Sequence, residues 1–249
     1  MNQHSFYHRF TQNNEDKAKL EDMFINLFDY GGVDQGFDVG AGLGWVHHYS
    51  YEIREVGPAF FLMRDVLDKH NRLDKAVDIM KWFYGFGQVY RDDLVYNVEG
   101  RIAADADDTQ GLLIPRLYTA VIQKNSPEKI RDLQHFSSHF SKVTANYANA
   151  LDETYKPDGT IFHHGGHTLG YGGRAAHGGI VSMYLLSESS YKASPEAYQR
   201  MKKVTTTLFD CLFQDELNAP RAFSSIRHGG LLIAKTVFVY ASIISFKCR

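Results

Sequence analysis

Apolar residues recur every three to four positions along most of the chain, which is the period of an amphipathic helix. Leu20, Met23, Phe24, Leu27 and Phe28 form one such stripe, and Gly31-Gly32 behind them predicts its stop. A second helix is predicted from about Glu55 to His70, with Pro58 tolerated in its first turn. A third covers Leu73 to about Tyr90, with Leu73, Ala76, Met80 and Phe83 on one face. A fourth, capped by Asp108 or Thr109, is expected from Gln110 to Lys124, where Pro115 demands a kink or a late start. Ser126-Pro127-Glu128 and Ser194-Pro195-Glu196 each read as an N-cap, a first helical proline and an acidic first turn. The stripes behind them are Ile130, Leu133, Phe136, Phe140, Val143, Tyr147 and Tyr198, Met201, Val204, Leu208.

Strand signals are scarce, because no alternating hydrophobic run is bounded by hairpin turns. Amphipathic helices of about four turns with short or glycine-rich connections predict stacked antiparallel pairs, in a bundle, solenoid or toroid. No repeat at a fixed short period is visible, which disfavours a regular solenoid. No linker interrupts the pattern, so residues 1–249 are expected to form a single helical domain.

Composition changes this picture in a few places. With 44% apolar and 22% charged residues the chain has the composition of an ordinary globular protein with a real core. A formal net charge of −2 supplies no global basic field, so nucleic acid is not an expected partner. A polyanionic ligand would have to be met by a local cluster of Arg, Lys and His. Leu231 to Phe246 is the most apolar stretch, but Lys235 interrupts it and it falls short of a membrane span. It reads as a buried helix near the end of a fragment, and no membrane partner is expected. Met1 to Phe10 has no apolar region of the kind a signal peptide carries. Cys211 and Cys248 are too few for a disulfide framework. Aromatic residues reach 14%, enough to serve both a helical core and a sugar-stacking wall.

Three long loops are expected, at 34–51, 156–179 and 218–230, and they hold Gly, His, Tyr and Arg in place of ordinary turn residues. In the second, Pro157-Asp158-Gly159 signals a turn. His163, His164, His167, Tyr171, Arg174 and His177 follow, separated by glycines that would let the backbone approach a ligand. Imidazole and phenol together suit acid–base chemistry. The same histidines could hold a metal, but no Cys is near and no acidic residue falls at helical spacing, so no metal or cofactor is expected. A plain structural loop with exposed histidines is the other alternative. In the first loop, Gly40-Ala41-Gly42-Leu43-Gly44 lacks the strand and glycine spacing of a nucleotide-binding turn. Trp45, His47, His48, Tyr49 and Tyr51 suit a sugar-binding wall or, equally, a packed aromatic corner. Arg221, Arg227 and His228 in the third loop could meet a carboxylate or sulfate, or simply be solvated. Asp105, Asp107 and Asp108 could supply the acid and base of an inverting glycoside hydrolase. Capping by Asp108 with solvated neighbours accounts for them as well.

Taken in order, several segments resemble the chondroitin ABC-type polysaccharide lyases. They are Val33-Asp34-Gln35-Gly36-Phe37, His47-His48-Tyr49-Ser50-Tyr51, the run from Lys156 through Tyr171, and Arg227-His228. The resemblance covers most of the chain. Gly165 and Leu169 stand where the family pattern has an acidic residue and a proline. The resemblance implies an all-α fold, an incomplete α/α toroid of antiparallel helix hairpins, in a fragment without the β-sandwich domains that follow it in such enzymes. It implies an acidic glycosaminoglycan substrate: chondroitin or dermatan sulfate, with hyaluronan as a further candidate. The expected reaction is β-elimination at hexosaminide–uronate linkages, giving unsaturated uronic-acid ends. Carried over by position, His164, Tyr171 and Arg227 are the catalytic residues. His47, His48, Trp45, Tyr51, His163 and His228 are the substrate-binding ones. Arg227 would neutralise the uronate carboxylate, with His164 assisting or acting as base, and Tyr171 would protonate the departing oxygen. Export to the periplasm or beyond is a further implication. Two other readings stay open: a hydrolase on a similar helical scaffold, and a non-catalytic polysaccharide-binding fragment.

Overall fold

A computed structural model describes residues 2–34, 55–91, 106–145, 154–163, 166 and 169–208. Among them the fold is all-α apart from one two-stranded hairpin, as the apolar period predicts. The chain divides into two compact units, one of residues 1–90 and 115–133, the other of residues 91–114 and 134–249. None of the described helices is long and apolar enough to cross a membrane. The predicted helix at Leu231 to Phe246 lies outside the described residues.

The first unit begins with α1 (Asn2–Phe10) and α2 (Asn14–Phe28). Asn13 caps α2, its side-chain oxygen accepting from the Glu15 and Asp16 amides. Gly31-Gly32 do not stop the helix sharply; it widens into a π turn over Asp29–Asp34. Next come α3 (Val56–Leu62) and α4 (Arg64–Lys69), so the single helix expected from Glu55 to His70 is broken at Met63. Asn71, at a φ of 57°, ends α4 in the left-handed region that Asn tolerates. The third expected helix is likewise shorter. It is α5 (Leu73–Phe83), and Gly85, also at positive φ, turns the chain into a 3-10 segment at Phe86–Tyr90.

Phe24 and Phe28 are the buried part of the α2 stripe, with Phe28 5.4 Å from the Phe60 ring of α3. Met23 and Leu27 of the same predicted stripe are exposed. On α5 all four predicted positions are buried. A buried polar node sits beside this core. Asp132 receives hydrogen bonds from Tyr90 Oη (2.7 Å), Gln123 Nε2 (2.8 Å) and Arg131 Nη2 (3.0 Å), and an ion pair from Lys81 (2.5 Å). Burial alone would raise this carboxyl, but those four partners outweigh it and hold the value below the ordinary carboxylate range. Tyr90 responds in the opposite sense: burial and the Asp132 carboxylate push its phenol up to about 12.

The fourth predicted helix is two helices, α6 (Ala106–Gly111) and α7 (Leu113–Val121), separated at Leu112. Pro115 falls in the first turn of α7, where a missing N–H costs no intrahelical bond. Asp108 therefore lies inside the first turn of α6 and does not cap it. Behind the Ser126 cap, whose hydroxyl accepts from the Lys129 amide, runs α8 (Pro127–Ala145).

The second unit contains α6, the C-terminal part of α8, and a hairpin of β1 (Thr154–Tyr155) and β2 (Ile161–Phe162). Two helices complete it, α9 (Leu169–Leu186) and α10 (Pro195–Thr207). Thr154 pairs with Phe162 and Tyr155 with Ile161, across the turn predicted at Pro157-Asp158-Gly159. Gly159 sits at φ 89°, and a Cβ there would run into Thr207 and the Lys203 carbonyl of α10. Ser194 caps α10 through the Ala197 amide, as its sequence predicts. α9 packs on α6, α10 and β2.

The largest correction concerns α9. Its sequence, LGYGGRAAHGG, was expected to be loop and is helix instead. A Cβ at Gly178 would stand 2.5 Å from the Thr109 carbonyl of α6, and one at Gly172 3.2 Å from Ile161 Cβ of β2. The glycines thus let this backbone approach the protein's own α6 and β2, the close approach that the sequence reading assigned to a ligand.

Candidate active site

Three elements of the second unit bring chemistry-bearing side chains together. Tyr171 lies in the first turn of α9, and spacings of three put Arg174 and His177 on the same flank. All three are partly exposed, while Gly172, Ala175, Ala176 and Gly179 face inward. Arg174 makes no hydrogen bond or ion pair with the described residues, so its guanidinium is available to an anion.

Behind Tyr171 stands His163, the residue after β2. Its ring lies 4.5 Å from the Tyr171 ring, tilted by 48°. Its backbone is held by a bridge to Gly166, with the His163 amide 2.8 Å from the Gly166 carbonyl. His163 is only 2% exposed, so the direct substrate contact expected of it does not fit; its ring faces the interior. There its Nε2 is 3.5 Å from Oδ2 of Asp107 on α6. The other carboxylate oxygen of Asp107 accepts a 2.6 Å bond from Gln110 Nε2 one turn on. Asp107 and Asp108 are 4% and 3% exposed, which removes the reading of Asp108 as a cap among solvated acids. An acid at the start of α6 is favoured by the helix dipole, and Gln110 offers this buried one a donor, while His163 Nε2 stands at ion-pair distance without a hydrogen bond.

The floor is buried. Tyr155 of β1 is buried, its hydroxyl donating to the Ala175 carbonyl at 3.4 Å. Burial pushes its phenol far above the ordinary value, against the lowering effect of a hydrogen bond with Thr109. Lys156 lies over the Phe162 ring, 4.7 Å from its centroid.

The structure thus brings together Tyr171 and His163 from the sequence-predicted set and adds Asp107 in a new role. His164, Arg227, His47, His48, Trp45, Tyr51 and His228 lie outside the described residues, as do His167, Arg221 and Asp105. The pairing of Asp107 with His163 was missed, although a signal existed. Asp107 and Gln110 stand three apart in the run Ala106 to Leu112, where small or apolar neighbours mark an inward-facing carboxylate.

The family described as "Lyase, catalytic" matches residues 1–229. The chain belongs to this lyase catalytic family. Among its relatives are two chondroitin sulfate ABC exolyases. The one from Bacteroides thetaiotaomicron is 29% identical over 213 residues, covering 85% of this chain and 20% of the relative. The one from Proteus vulgaris is 28% identical over 189 residues, covering 76% and 18%. A chondroitin sulfate ABC endolyase from Proteus vulgaris is 24% identical over 190 residues, 75% of this chain and 18% of the relative. The resemblance seen in the sequence is therefore shown for the lyase family and its chondroitin ABC-type members. The chain spans about a fifth of the length of these curated relatives.

Proposed function

We propose that this lyase-family chain is part of a glycosaminoglycan lyase that acts by β-elimination on chondroitin or dermatan sulfate, with hyaluronan as a further substrate. Family membership supports the reaction class, and the printed activities of the relatives support the substrate class. The observation that carries the assignment is a partly exposed phenol, Tyr171, backed by a buried imidazole and flanked one turn on by the Arg174 guanidinium. On this reading the helices belong to an incomplete α/α toroid, and the protein is exported.

The chemistry needs three things. A base takes the proton on C5 of the uronate, the electron pair moves into a C4–C5 double bond, and the C4–O bond breaks. The departing oxygen then takes a proton, and that donor is Tyr171. A C5 proton becomes acidic enough only when positive charge or hydrogen bonding neutralises the adjacent carboxylate. The resemblance gives that role to Arg227, with His164 assisting or serving as base. Arg174 supplies a second cation near Tyr171 for a carboxylate or sulfate of the chain. His47, His48, Trp45, Tyr51 and His228 would line the sugar path.

The chain is tested against chondroitin sulfate, dermatan sulfate and hyaluronan, following the ultraviolet absorbance of the conjugated double bond alongside the release of reducing ends. Elimination raises both together. Reducing ends without absorbance would mean hydrolysis. Binding of the polysaccharide with neither signal would mean a binding fragment, and either result would overturn the proposal.

A further inference from the structure

We infer that Asp107 and His163 are positioning residues for Tyr171: a buried carboxylate fixes an imidazole, and the imidazole fixes the phenol that faces the substrate. The inference rests on the proposed function in taking Tyr171 as the reacting group, and it adds two residues to which that reading gives no such role.

The geometry runs through three elements. Asp107 of α6 is held from one side by Gln110 at 2.6 Å and faces His163 Nε2 at 3.5 Å with its other oxygen. His163 follows β2, and its ring meets that of Tyr171 on α9 with centroids 4.5 Å apart. Asp107 and His163 are 4% and 2% exposed, whereas Tyr171 is partly open. Water therefore has little access to the first two, and the orientation of the imidazole is set by protein groups.

Such an arrangement has a physical purpose. A phenol on the flank of a helix that begins LGYGG has no bulky neighbours at Gly170, Gly172 or Gly173 to restrict its ring. The His163 face supplies the missing wall. An imidazole is itself free to turn about two bonds, and the Asp107 carboxylate, 3.5 Å from Nε2 at ion-pair distance without a hydrogen bond, favours the orientation that faces it. The glycine contacts support the same alignment: Gly178 lets α9 approach the Thr109 carbonyl, two residues beyond Asp107. A small misplacement of a proton-transfer group is costly, on the order of 10²-fold in rate for about 1 Å.

The test uses the full chain in four forms: wild type, Tyr171→Phe, Asp107→Asn and His163→Gln. Asp107→Asn keeps the size of the side chain and an oxygen for Gln110, and removes the charge opposite His163. Two readouts are taken. In turnover on chondroitin sulfate, Asp107→Asn and His163→Gln should each lower kcat roughly tenfold to a hundredfold, with KM within about twofold of wild type. In 19F NMR of chain labelled with 3-fluorotyrosine, the Tyr171 resonance, identified by its loss in Tyr171→Phe, should shift or broaden in both variants. This second readout exists whatever the turnover. An unmoved Tyr171 resonance in Asp107→Asn overturns the inference. So does wild-type kcat in Asp107→Asn when Tyr171→Phe is inactive, and that result leaves the proposed function standing. Full turnover in Tyr171→Phe overturns the proposed function instead. Loss of folding in both Asp107→Asn and His163→Gln would assign the pair to the core alone and also overturn the inference.

Discussion

Asp132 in the first unit and Asp107 in the second are both buried carboxylates, yet their surroundings differ in kind. Asp132 is gripped by Tyr90, Gln123, Arg131 and Lys81 at 2.5 to 3.1 Å, and two of those partners are cations. Asp107 has Gln110 at close range and an imidazole 3.5 Å away, which in turn touches a partly exposed phenol. The first is a knot whose partners bind several helical segments to one another. The second is the inner end of a line of side chains that reaches the surface. Burial of a carboxylate therefore does not by itself mark function; where its partners lead does.

Removing the knot should have the largest effect on stability. Asp132→Ala leaves Gln123, Tyr90 and Lys81 without their acceptor and should cost about 3 kcal/mol in urea unfolding. It should leave the Tyr171 resonance in place, in contrast to Asp107→Asn. The pH dependence follows from the depressed Asp132 carboxyl. Its contribution is fully present above the unfolded carboxyl value of about 3.9 and fades as pH falls through the lower folded value. Asp132→Asn should flatten that acid limb. Glu21, held low against its burial by Lys69 and His70, and Asp29, held low by Arg72, should keep part of it.

A second break concerns the packing that aligns the Tyr171 site. Gly178→Ala places a Cβ against the Thr109 carbonyl and should destabilise by about 2 kcal/mol, because backbone must move to admit it. Gly172→Ala meets the Ile161 side chain at its nearest contact, not backbone, and should cost less. Arg174→Ala should raise KM for chondroitin sulfate about tenfold with little change in kcat, and reduce the salt dependence of binding. A proportional fall in kcat would place Arg174 in the chemical step. The smallest effect belongs to a helix cap. Ser194→Ala removes the cap of α10 and should cost about 1 kcal/mol.

Much of the fold was legible because helical amphipathicity and capping are local signals. Ser126 and Ser194 open helices as their sequences predict, and Leu73, Ala76, Met80 and Phe83 are buried together. The breaks were less legible. Met63 interrupts a helix with no proline or glycine at the break, and Leu112 does so three residues before the proline that was expected to matter. The glycine-rich run at Tyr171 misled for a clear reason. Glycine weakens a helix in isolation, but here two of the glycines admit close packing on α6 and β2, and tertiary contact overrides propensity. Of the site, Tyr171 was named through the resemblance of the run from Lys156 through Tyr171, not through a local physical signal. The Asp107 to His163 pairing joins residues far apart in the chain, so the local signal around Asp107 could mark an inward-facing carboxylate but not its partner.

The most direct measurement compares unsaturated product formation from chondroitin sulfate by the wild-type chain and by Tyr171→Phe, under the same conditions and with folding verified. Wild type should build up ultraviolet absorbance, and the variant should lose about 10²- to 10⁴-fold in kcat while still binding the polysaccharide. Turnover by Tyr171→Phe close to that of wild type would contradict the assignment of Tyr171.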